Sequence, residues 1–224
     1  MTAFQGSLLD LVDQVDADAE SVDGVAKVWP GPLGPAPVAA DRIVLGHGAW
    51  VEHRPGWVRG ADDLFLRLES TVAWQSERRR MYDKVLDVPR LVRFYRSGEP
   101  LPDPAVVALR DALTEHHMAE LGEPFTTVGM CLYRDGGDSV AWHGDDSGRG
   151  STADTMVAIV SLGSPRTLAL RPRGGGRRVA FSLGHGDLLV MGGSCQRTWE
   201  HAVPKTARSV GPRISVQFRP RGVR

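Results

Sequence analysis

From Thr126 onward, apolar and polar residues alternate in short runs that are separated by glycine, proline and other turn residues. A period of two places successive side chains on opposite faces, which is typical of β-strands. The predicted strands are Thr127–Arg134, Ser139–His143, Met156–Leu162, Arg166–Arg171, Arg178–Ser182, Asp187–Met191, Thr198–Val203 and Pro212–Arg219. Eight such strands without intervening helices predict a mostly β fold with flanking helices, in which two sheets pack as a jelly roll (double-stranded β-helix).

The section before these strands contains a predicted strand pair and a predicted helix. Arg42–Leu45 and Ala49–Glu52 carry the residues of two short strands, and Gly46–Gly48 between them predicts a hairpin turn. Asp62 is predicted to cap a helix that runs to about Trp74. We expect these elements to support one sheet of the jelly roll.

A second helix is predicted from Asp103, which serves as its N-cap, and Pro104, which suits the first helical position. Its inward side chains are predicted to be Val107, Leu109, Leu113 and Met118. His116 and His117 belong to the same helix and are predicted to be solvated.

The N-terminal region has a composition of its own. Residues 1–23 carry six acidic groups, no basic group and a stripe of leucine and valine. Residues 29–40 are rich in proline, glycine and alanine, as a linker is. The predicted organisation is an acidic arm with a Pro/Gly-rich linker over 1–40, a support region over 41–125 and a jelly-roll core over 126–224, with 41–224 forming one domain.

Composition indicates the cellular compartment of the protein and which partners it has. The 27 basic and 27 acidic residues cancel, so the net charge indicates no partner. Its two cysteines, Cys131 and Cys195, have no metal-binding or disulfide spacing, which fits a reducing compartment. The first 20 residues lack a secretion signal, and no apolar run is long enough to span a bilayer. The sequence therefore predicts a cytoplasmic protein without membrane contact.

Arginine, lysine and tyrosine cluster between Arg78 and Arg90. Cations of this kind contact phosphates, and an aromatic ring stacks on a base. A charged helix end followed by a loop is the simpler interpretation, and the residues alone favour it.

His143 and Asp145 stand at the end of a predicted strand, separated by one residue. Side chains at positions i and i+2 point to the same side, so both can reach one metal ion. His201, on another predicted strand, is the candidate third ligand, and two imidazoles with one carboxylate suit non-haem Fe(II). By itself the His-x-Asp spacing is also compatible with a strand-end histidine beside a turn aspartate.

The last predicted strand has two different faces. One face is apolar, whereas the other carries Arg213, Ser215, Gln217 and Arg219. Two arginines that point into a sheet interior need anionic partners, and a dicarboxylic acid bound to the metal would supply them. The alternative is an edge strand that faces solvent and binds no ligand.

Taken in order, five blocks of sequence resemble the AlkB-like Fe(II)- and 2-oxoglutarate-dependent dioxygenases, which act on alkylated nucleic acid. The resemblance covers Thr126 to Pro220. The blocks are Tyr133–Asp138, Trp142–Asp146, Gly184–Gly193, His201 and Pro212–Arg219.

The resemblance implies a role for each matching residue. His143, Asp145 and His201 match the catalytic iron ligands. The co-substrate contacts implied by the family are Tyr133, Arg213, Ser215 and Arg219. Fe(II), 2-oxoglutarate and O2 are thus the expected cofactor and co-substrates.

Substrate contacts are expected ahead of the core, because the segment before the barrel forms a nucleotide-recognition lid in AlkB-like enzymes. Tyr82 is the candidate stacking residue and Arg90 a candidate contact within this lid. Trp142, directly before His143, is a third candidate substrate-binding residue.

The implied function is oxidative demethylation or dealkylation of N-alkylated bases, as in DNA repair. An iron-bound oxidant hydroxylates the alkyl group, which then leaves as an aldehyde. A base inside a duplex cannot reach a buried metal, so the expected partner is single-stranded or flipped-out nucleic acid bound by a monomer.

Three alternatives stay open on the sequence. The first is a dioxygenase of the same fold that hydroxylates a protein or a small molecule. A binding module without catalysis has no need for the complete set of ligands and arginines, and a zinc or manganese cupin leaves the arginine pair unexplained.

Three positions depart from the family pattern. Cys131 and Ser215 replace asparagines found in many relatives, and Ser147 replaces an acidic residue associated with reading the damaged base. A thiol hydrogen-bonds weakly, so we expect the contacts to the co-substrate to differ in detail.

Overall fold

The computed structural model describes residues 42–81 and 84–223. The predicted arm and linker over 1–40 and the lid candidate Tyr82 lie outside these residues. The described strands are β1 (Arg42–Gly46), β2 (Ala49–Arg54), β3 (Gln75–Met81), β4 (Lys84–Tyr95), β5 (Phe125–Tyr133), β6 (Val140–His143), β7 (Val157–Gly163), β8 (Arg166–Pro172), β9 (Val179–Leu183), β10 (Asp187–Gly193), β11 (Trp199–Val203) and β12 (Arg213–Pro220).

The strands form two antiparallel sheets. The large sheet has the order β1-β2-β10-β7-β12-β5-β4-β3, and the small sheet has the order β6-β11-β8-β9. One hydrophobic core contains side chains from both sheets and so lies between them. This arrangement confirms the predicted mostly β, double-sheet architecture. The strands β1 to β4, from the section predicted to support the core, are members of the large sheet.

A second hydrophobic core lies on the other face of the large sheet, where α1 (Ala61–Thr71) and α2 (Pro104–Leu121) pack. The sheet therefore has an interior face, toward the small sheet, and a helix face. None of the helices in the described residues combines the length and the apolar character needed to cross a bilayer. A short helix, α3 (Cys195–Thr198), leads into β11.

Strand β12 lies between β5 and β7 and has the two faces that its alternation predicts. Ile214, Val216 and Phe218 are buried in the core on the helix face. The polar residues of the strand alternate with them and so turn to the interior face, where Arg213 and Ser215 are buried. The alternative of a solvent-facing edge strand is therefore wrong.

The helices differ from their predicted limits in instructive ways. Helix α1 begins at Ala61 and ends at Thr71, and its N-cap is Gly60, with φ 64°, instead of Asp62. Such a φ is accessible to glycine without strain. The cap of α2 is as predicted, because the Asp103 carboxylate accepts a hydrogen bond of 2.8 Å from the Ala105 N–H.

The buried face of α2 differs from the prediction at both ends, and near the N-terminus Val106 is buried whereas Val107 is only partly buried. Its buried residues are Ala105, Val106, Leu109, Leu113 and His117. His117 is thus not solvated, and Met118 is 39% exposed instead of inward. A spacing of four residues carries the buried face from Leu113 to His117.

The arginine-rich segment is a β-hairpin. Strands β3 and β4 pair with each other, and β4 continues along β5 in the large sheet. The interpretation as a charged helix end followed by a loop is therefore wrong. The hairpin extends the sheet at the edge next to β5, which places the predicted lid segment on the same sheet as β12.

Candidate active site

The side chains of His143 and His201 are neighbours on adjacent strands of the small sheet. They are register partners in β6 and β11, and their ring centroids are 4.2 Å apart. His201 is buried and lies in the interior, on the same side of β11 as Trp199 and Val203. The His143 Nδ1 lies 2.9 Å from the carbonyl oxygen of Ala141, to which it must donate, so Nε2 keeps its lone pair for a ligand.

Asp145 follows His143 by two residues and lies in the turn after β6, where it is buried. Its backbone N–H donates to Gln196 Oε1 at 2.9 Å, and its carboxylate accepts from Arg219 Nε at 2.9 Å and Nη2 at 3.2 Å. This ion pair joins the turn after β6 to β12 of the other sheet. Burial acts to raise the pKa of Asp145, but Arg219 and the two nearby histidines outweigh it and lower the pKa to about 2.

Gly144 permits the turn after β6 to lie close to α3. A Cβ at this position would lie 2.4 Å from the Gln196 carbonyl oxygen and 2.6 Å from Arg173 Nη2. The first of these neighbours is backbone and has little freedom to move. Glycine therefore allows His143 and Asp145 to pack against α3.

The protonation states suit a divalent metal. Burial lowers the pKa of His201 to about 3, so its imidazole is neutral at physiological pH, while the carboxylate of Asp145 is ionised. A metal ligand must be deprotonated in this way. We call His143, Asp145 and His201 the interior cluster; it offers the two-histidine, one-carboxylate donor set of Fe(II) sites.

Arg213 is a buried cation with unused hydrogen-bonding capacity. It is 1% exposed, its Nε donates to Ser161 Oγ at 2.8 Å, and its guanidinium carbon lies 5.2 Å from the centre of the Tyr133 ring. Its Nη1 is buried and has no hydrogen-bond partner. Burial lowers the pKa of Arg213 and raises the pKa of Tyr133 to about 12. An anion bound here would satisfy the free nitrogen.

Ser215 and Gln217 continue the polar face of β12 toward Arg219. Gln217 Nε2 donates to Ser215 Oγ at 2.7 Å, and both residues are buried. Arg213 and Arg219 thus stand at two ends of one polar strip inside the sandwich. Of the predicted co-substrate residues, Arg213, Ser215 and Arg219 lie on this strip, and Tyr133 is the register partner of Arg213 on the adjacent strand β5.

Two of the predicted substrate residues, Trp142 and Arg90, lie among the described residues. Trp142 is half-buried, with the Arg171 guanidinium carbon 4.4 Å from its ring centre. Arg90 Nη1 donates to the carbonyl oxygen of Ser139 at 3.1 Å, which ties β4 to the segment before β6. Their contact with a substrate stays a prediction.

A second group of metal-binding residue types was not predicted. Among the described residues, one trio has all its ligand atoms within 4.8 Å of one another: Glu52, His116 and His117, here called the helix-side cluster. The interior cluster does not meet that distance, and its carboxylate lies against Arg219. Alternation along β2 could have placed Glu52 on the helix face, because its neighbour Val51 lies in the interior core.

Arginines occupy the ligand atoms of two members of the helix-side cluster. Glu52 accepts from Arg42 Nε at 2.7 Å and from Arg54 Nη2 at 3.3 Å. Arg54 Nη2 also lies 3.0 Å from His116 Nε2 and occupies its lone pair. Two arginine guanidiniums so close to the Glu52 carboxylate repel a metal ion at the same position. We interpret the cluster as a charged network that fastens α2 to β2.

The family of the chain follows from residues 95–219, which match the model of the 2OG-Fe(II) oxygenase superfamily. The chain belongs to the 2OG-Fe(II) oxygenase superfamily. It is 32% identical over 187 residues to "Alpha-ketoglutarate-dependent dioxygenase alkB homolog 3" of Bos taurus and of Homo sapiens, covering 74% of this chain and 64% of each relative. It thus spans about two thirds of the length of these relatives.

Other similarities agree with this family. The chain is 28% identical over 178 residues to "DNA oxidative demethylase ALKBH2" of Homo sapiens, covering 71% of this chain and 68% of the relative. The relatives confirm the AlkB-like resemblance. A crystal structure of a 2OG-Fe(II) oxygenase family oxidoreductase from Burkholderia pseudomallei aligns with a TM-score of 0.54 at 9% identity, over 98% of this chain and 92% of that one. This alignment supports the jelly-roll fold.

Membership of the superfamily implies Fe(II), 2-oxoglutarate and O2, and the residues present fit them. The interior cluster has the donor set and protonation states for iron. The free Nη1 of Arg213 fits a carboxylate of the co-substrate. The helix-side cluster, in contrast, offers iron no free lone pair at His116.

Proposed function

We propose that this protein is an Fe(II)- and 2-oxoglutarate-dependent dioxygenase that removes N-alkyl groups from bases in nucleic acid. The observation that carries the proposal is the fully buried Arg213 with an unpaired nitrogen, on the same interior face as Arg219 and the interior cluster. A buried cation without an anion is costly, so the fold is arranged for an anionic ligand.

In this proposal His143, Asp145 and His201 hold the iron. Arg213, assisted by Tyr133 and Ser215, holds the distal carboxylate of 2-oxoglutarate, and Arg219 lies beside the metal-binding end. When bound, iron and its co-substrates supply the oxidising chemistry, consuming O2 and releasing succinate and carbon dioxide.

The protein's own contribution is positioning and electrostatics. The neutral His201 and the ionised Asp145 are ready to bind a cation without a change of protonation. Arg219 fixes the Asp145 carboxylate and lies next to the space expected for the co-substrate. Buried side chains on both sheets exclude water from this region, which strengthens each of these charge interactions.

The substrate class rests on the relatives. Two of them are named as an alkB homolog dioxygenase and a DNA oxidative demethylase. The lid hairpin and the half-buried Trp142 beside His143 are the candidate surfaces for a base that is single-stranded or flipped out. We infer a monomer, and the two free cysteines fit the reducing cytoplasm.

A turnover experiment tests the proposal. The protein is loaded with Fe(II), and succinate formation from 2-oxoglutarate is measured with single-stranded oligonucleotides that contain either an N-methylated base or its unmethylated form. We expect the methylated oligonucleotide to stimulate succinate formation and to lose its methyl group. Equal rates with both oligonucleotides would contradict a nucleic-acid substrate. Stimulation by peptides or small molecules instead would favour the same-fold hydroxylase.

A further inference from the structure

Cys131 lies in the proposed co-substrate pocket. It is paired in register with Ser215 of β12 and stands two residues before Tyr133 on β5. Its side chain packs against the interior core and is half-buried. Reagents of small size therefore have access to a thiol that lines the polar strip of β12.

The thiol lies close to the charged groups of this pocket. Burial raises the pKa of Tyr133, and a negative charge at Cys131 raises it further. Burial lowers the pKa of Arg213, whereas negative charge at Tyr133 or Cys131 opposes that change. Arg213 Nη1 has no hydrogen-bond partner, so this corner of the pocket attracts anions independently of the cysteine. Cysteines beside such cations are the reactive ones in proteins.

The second cysteine supplies an internal comparison. Cys195 is buried within the interior core at the start of α3. Burial raises the pKa of its thiol to about 12, from an ordinary value of 9.0. At pH 8 such a thiol carries roughly a thousandfold less thiolate than an ordinary one, because each pKa unit is a factor of ten.

We propose that Cys131 is a covalent modification site through which small electrophiles block the co-substrate pocket. This inference rests on the proposed function, since it assigns 2-oxoglutarate to that pocket. In the modification the sulfur lone pair forms a bond to an electrophilic carbon, the leaving group departs with its bonding electrons, and the thiol proton goes to solvent. With iodoacetamide the new bond is S–C, the broken bond is C–I, and iodide leaves.

The modification blocks binding for a steric reason. Cys131 and Ser215 are cross-strand partners, whose Cβ atoms lie about 5 Å apart in a β-ladder. An added amide-bearing group therefore fills space above β5 and β12, on the interior face of the sheet, that the diacid would need to reach Arg213. Conversely, bound 2-oxoglutarate covers the thiol.

Protection by the co-substrate is the direct test. The full chain is treated with iodoacetamide at pH 8, with Mn(II) alone or with Mn(II) and 2-oxoglutarate, and labelling of each cysteine is followed by mass spectrometry. We expect Cys131 to react at least about a hundredfold faster than Cys195. With 2-oxoglutarate at a hundred times its Kd, labelling of Cys131 slows about a hundredfold, because only about one molecule in a hundred is unbound.

Calorimetric titration with 2-oxoglutarate gives the second measurement. Fully labelled protein is expected to lose binding. Cys131→Ser, measured before and after iodoacetamide, keeps its own binding, whereas the matched control Cys195→Ala remains as sensitive as the unaltered protein.

The outcomes separate this inference from the proposed function. If untreated protein does not bind 2-oxoglutarate, the proposed function fails and this inference fails with it. If untreated protein binds 2-oxoglutarate but Cys131 is unreactive, or is labelled equally fast with and without the co-substrate, the modification site alone is wrong.

Discussion

The two histidine clusters contain the same kinds of side chain on opposite sides of the large sheet, and we assign the metal to the interior cluster. In the helix-side cluster, Arg42 and Arg54 bind the carboxylate, and Arg54 also occupies a histidine nitrogen. In the interior cluster one arginine, Arg219, binds the carboxylate, and it stands on a strip with an unpaired buried cation. The helix-side trio is the more tightly gathered, so distance between candidate ligands does not identify the metal site.

What distinguishes the clusters is the pairing of their cations. Arg42 and Arg54 of the helix-side cluster both pair with Glu52, which makes it a structural network. In the described residues, the interior face instead holds a buried cation, Arg213, that forms no ion pair with a carboxylate. Variants at equivalent positions in the two clusters therefore test this difference.

The largest effect is expected for Asp145→Ala. Removing the carboxylate leaves two imidazoles, so we expect the loss of stoichiometric Mn(II) binding and of turnover. Metal content after dialysis and succinate formation measure these losses, and the thermal unfolding curve checks the fold. Glu52→Gln is the matched control and should keep its metal. If metal content falls with Glu52→Gln but not with Asp145→Ala, the assignment of the clusters is reversed.

Glu52→Gln is expected to act on stability instead. Arg54 is buried and loses its carboxylate partner, while Arg42 keeps its ion pair with Glu120. Breaking a buried pair costs about 3 kcal/mol at the lower end of measured values. Urea unfolding at pH 7 measures the difference. A loss below about 1 kcal/mol, the value of a surface pair, would mean that the network does not fasten α2.

Arg213→Met is expected to weaken 2-oxoglutarate binding by about a hundredfold, or about 2.7 kcal/mol, because a buried charged partner of the diacid is removed. The free energy of unfolding without ligand should stay equal or rise, since an unpaired buried cation disappears. Arg54→Met, on the helix face, should do the opposite: lower stability and an unchanged Kd. Calorimetry measures the Kd for 2-oxoglutarate and urea unfolding measures the free energy of unfolding of both variants.

The smallest effect concerns the pH dependence of stability at His117. Burial lowers its folded-state pKa to about 4, while the unfolded chain has the ordinary 6.5. The unfolded state therefore binds a proton first as the pH falls, so this contribution is complete above pH 6.5 and declines toward pH 4. At pH 5 the loss is roughly 2 kcal/mol. Urea unfolding of the protein and of His117→Leu at pH 7 and pH 5 should show the smaller loss of unfolding free energy in the variant. Equal losses in the two proteins would contradict a lowered pKa of His117.

Local pattern was sufficient for much of the fold and for the polar face of β12. The alternation along β12 predicted its two faces, and the one-residue spacing of His143 and Asp145 predicted a shared side. Contacts across long separations were not predictable: Asp145 and Arg219 are 74 residues apart and come from opposite sheets. No local pattern carries that information.

Two errors have identifiable causes. The segment from Arg78 carries charge without an apolar alternation, so its strand hairpin left no periodic signal. The prediction that His117 is solvated is also wrong. Its position four residues after Leu113 was the signal that should have placed it on the buried face.

Strand β12 is hydrogen-bonded along both edges, by β5 and β7. A strand that is held along both edges is rigid, and its amides should exchange slowly with solvent. The separation of its two arginines is thus fixed by the pleat and not by any loop. A substitution of a single side chain on β12, such as Ser215, would therefore change the contacts offered to a ligand without changing the separation of Arg213 and Arg219.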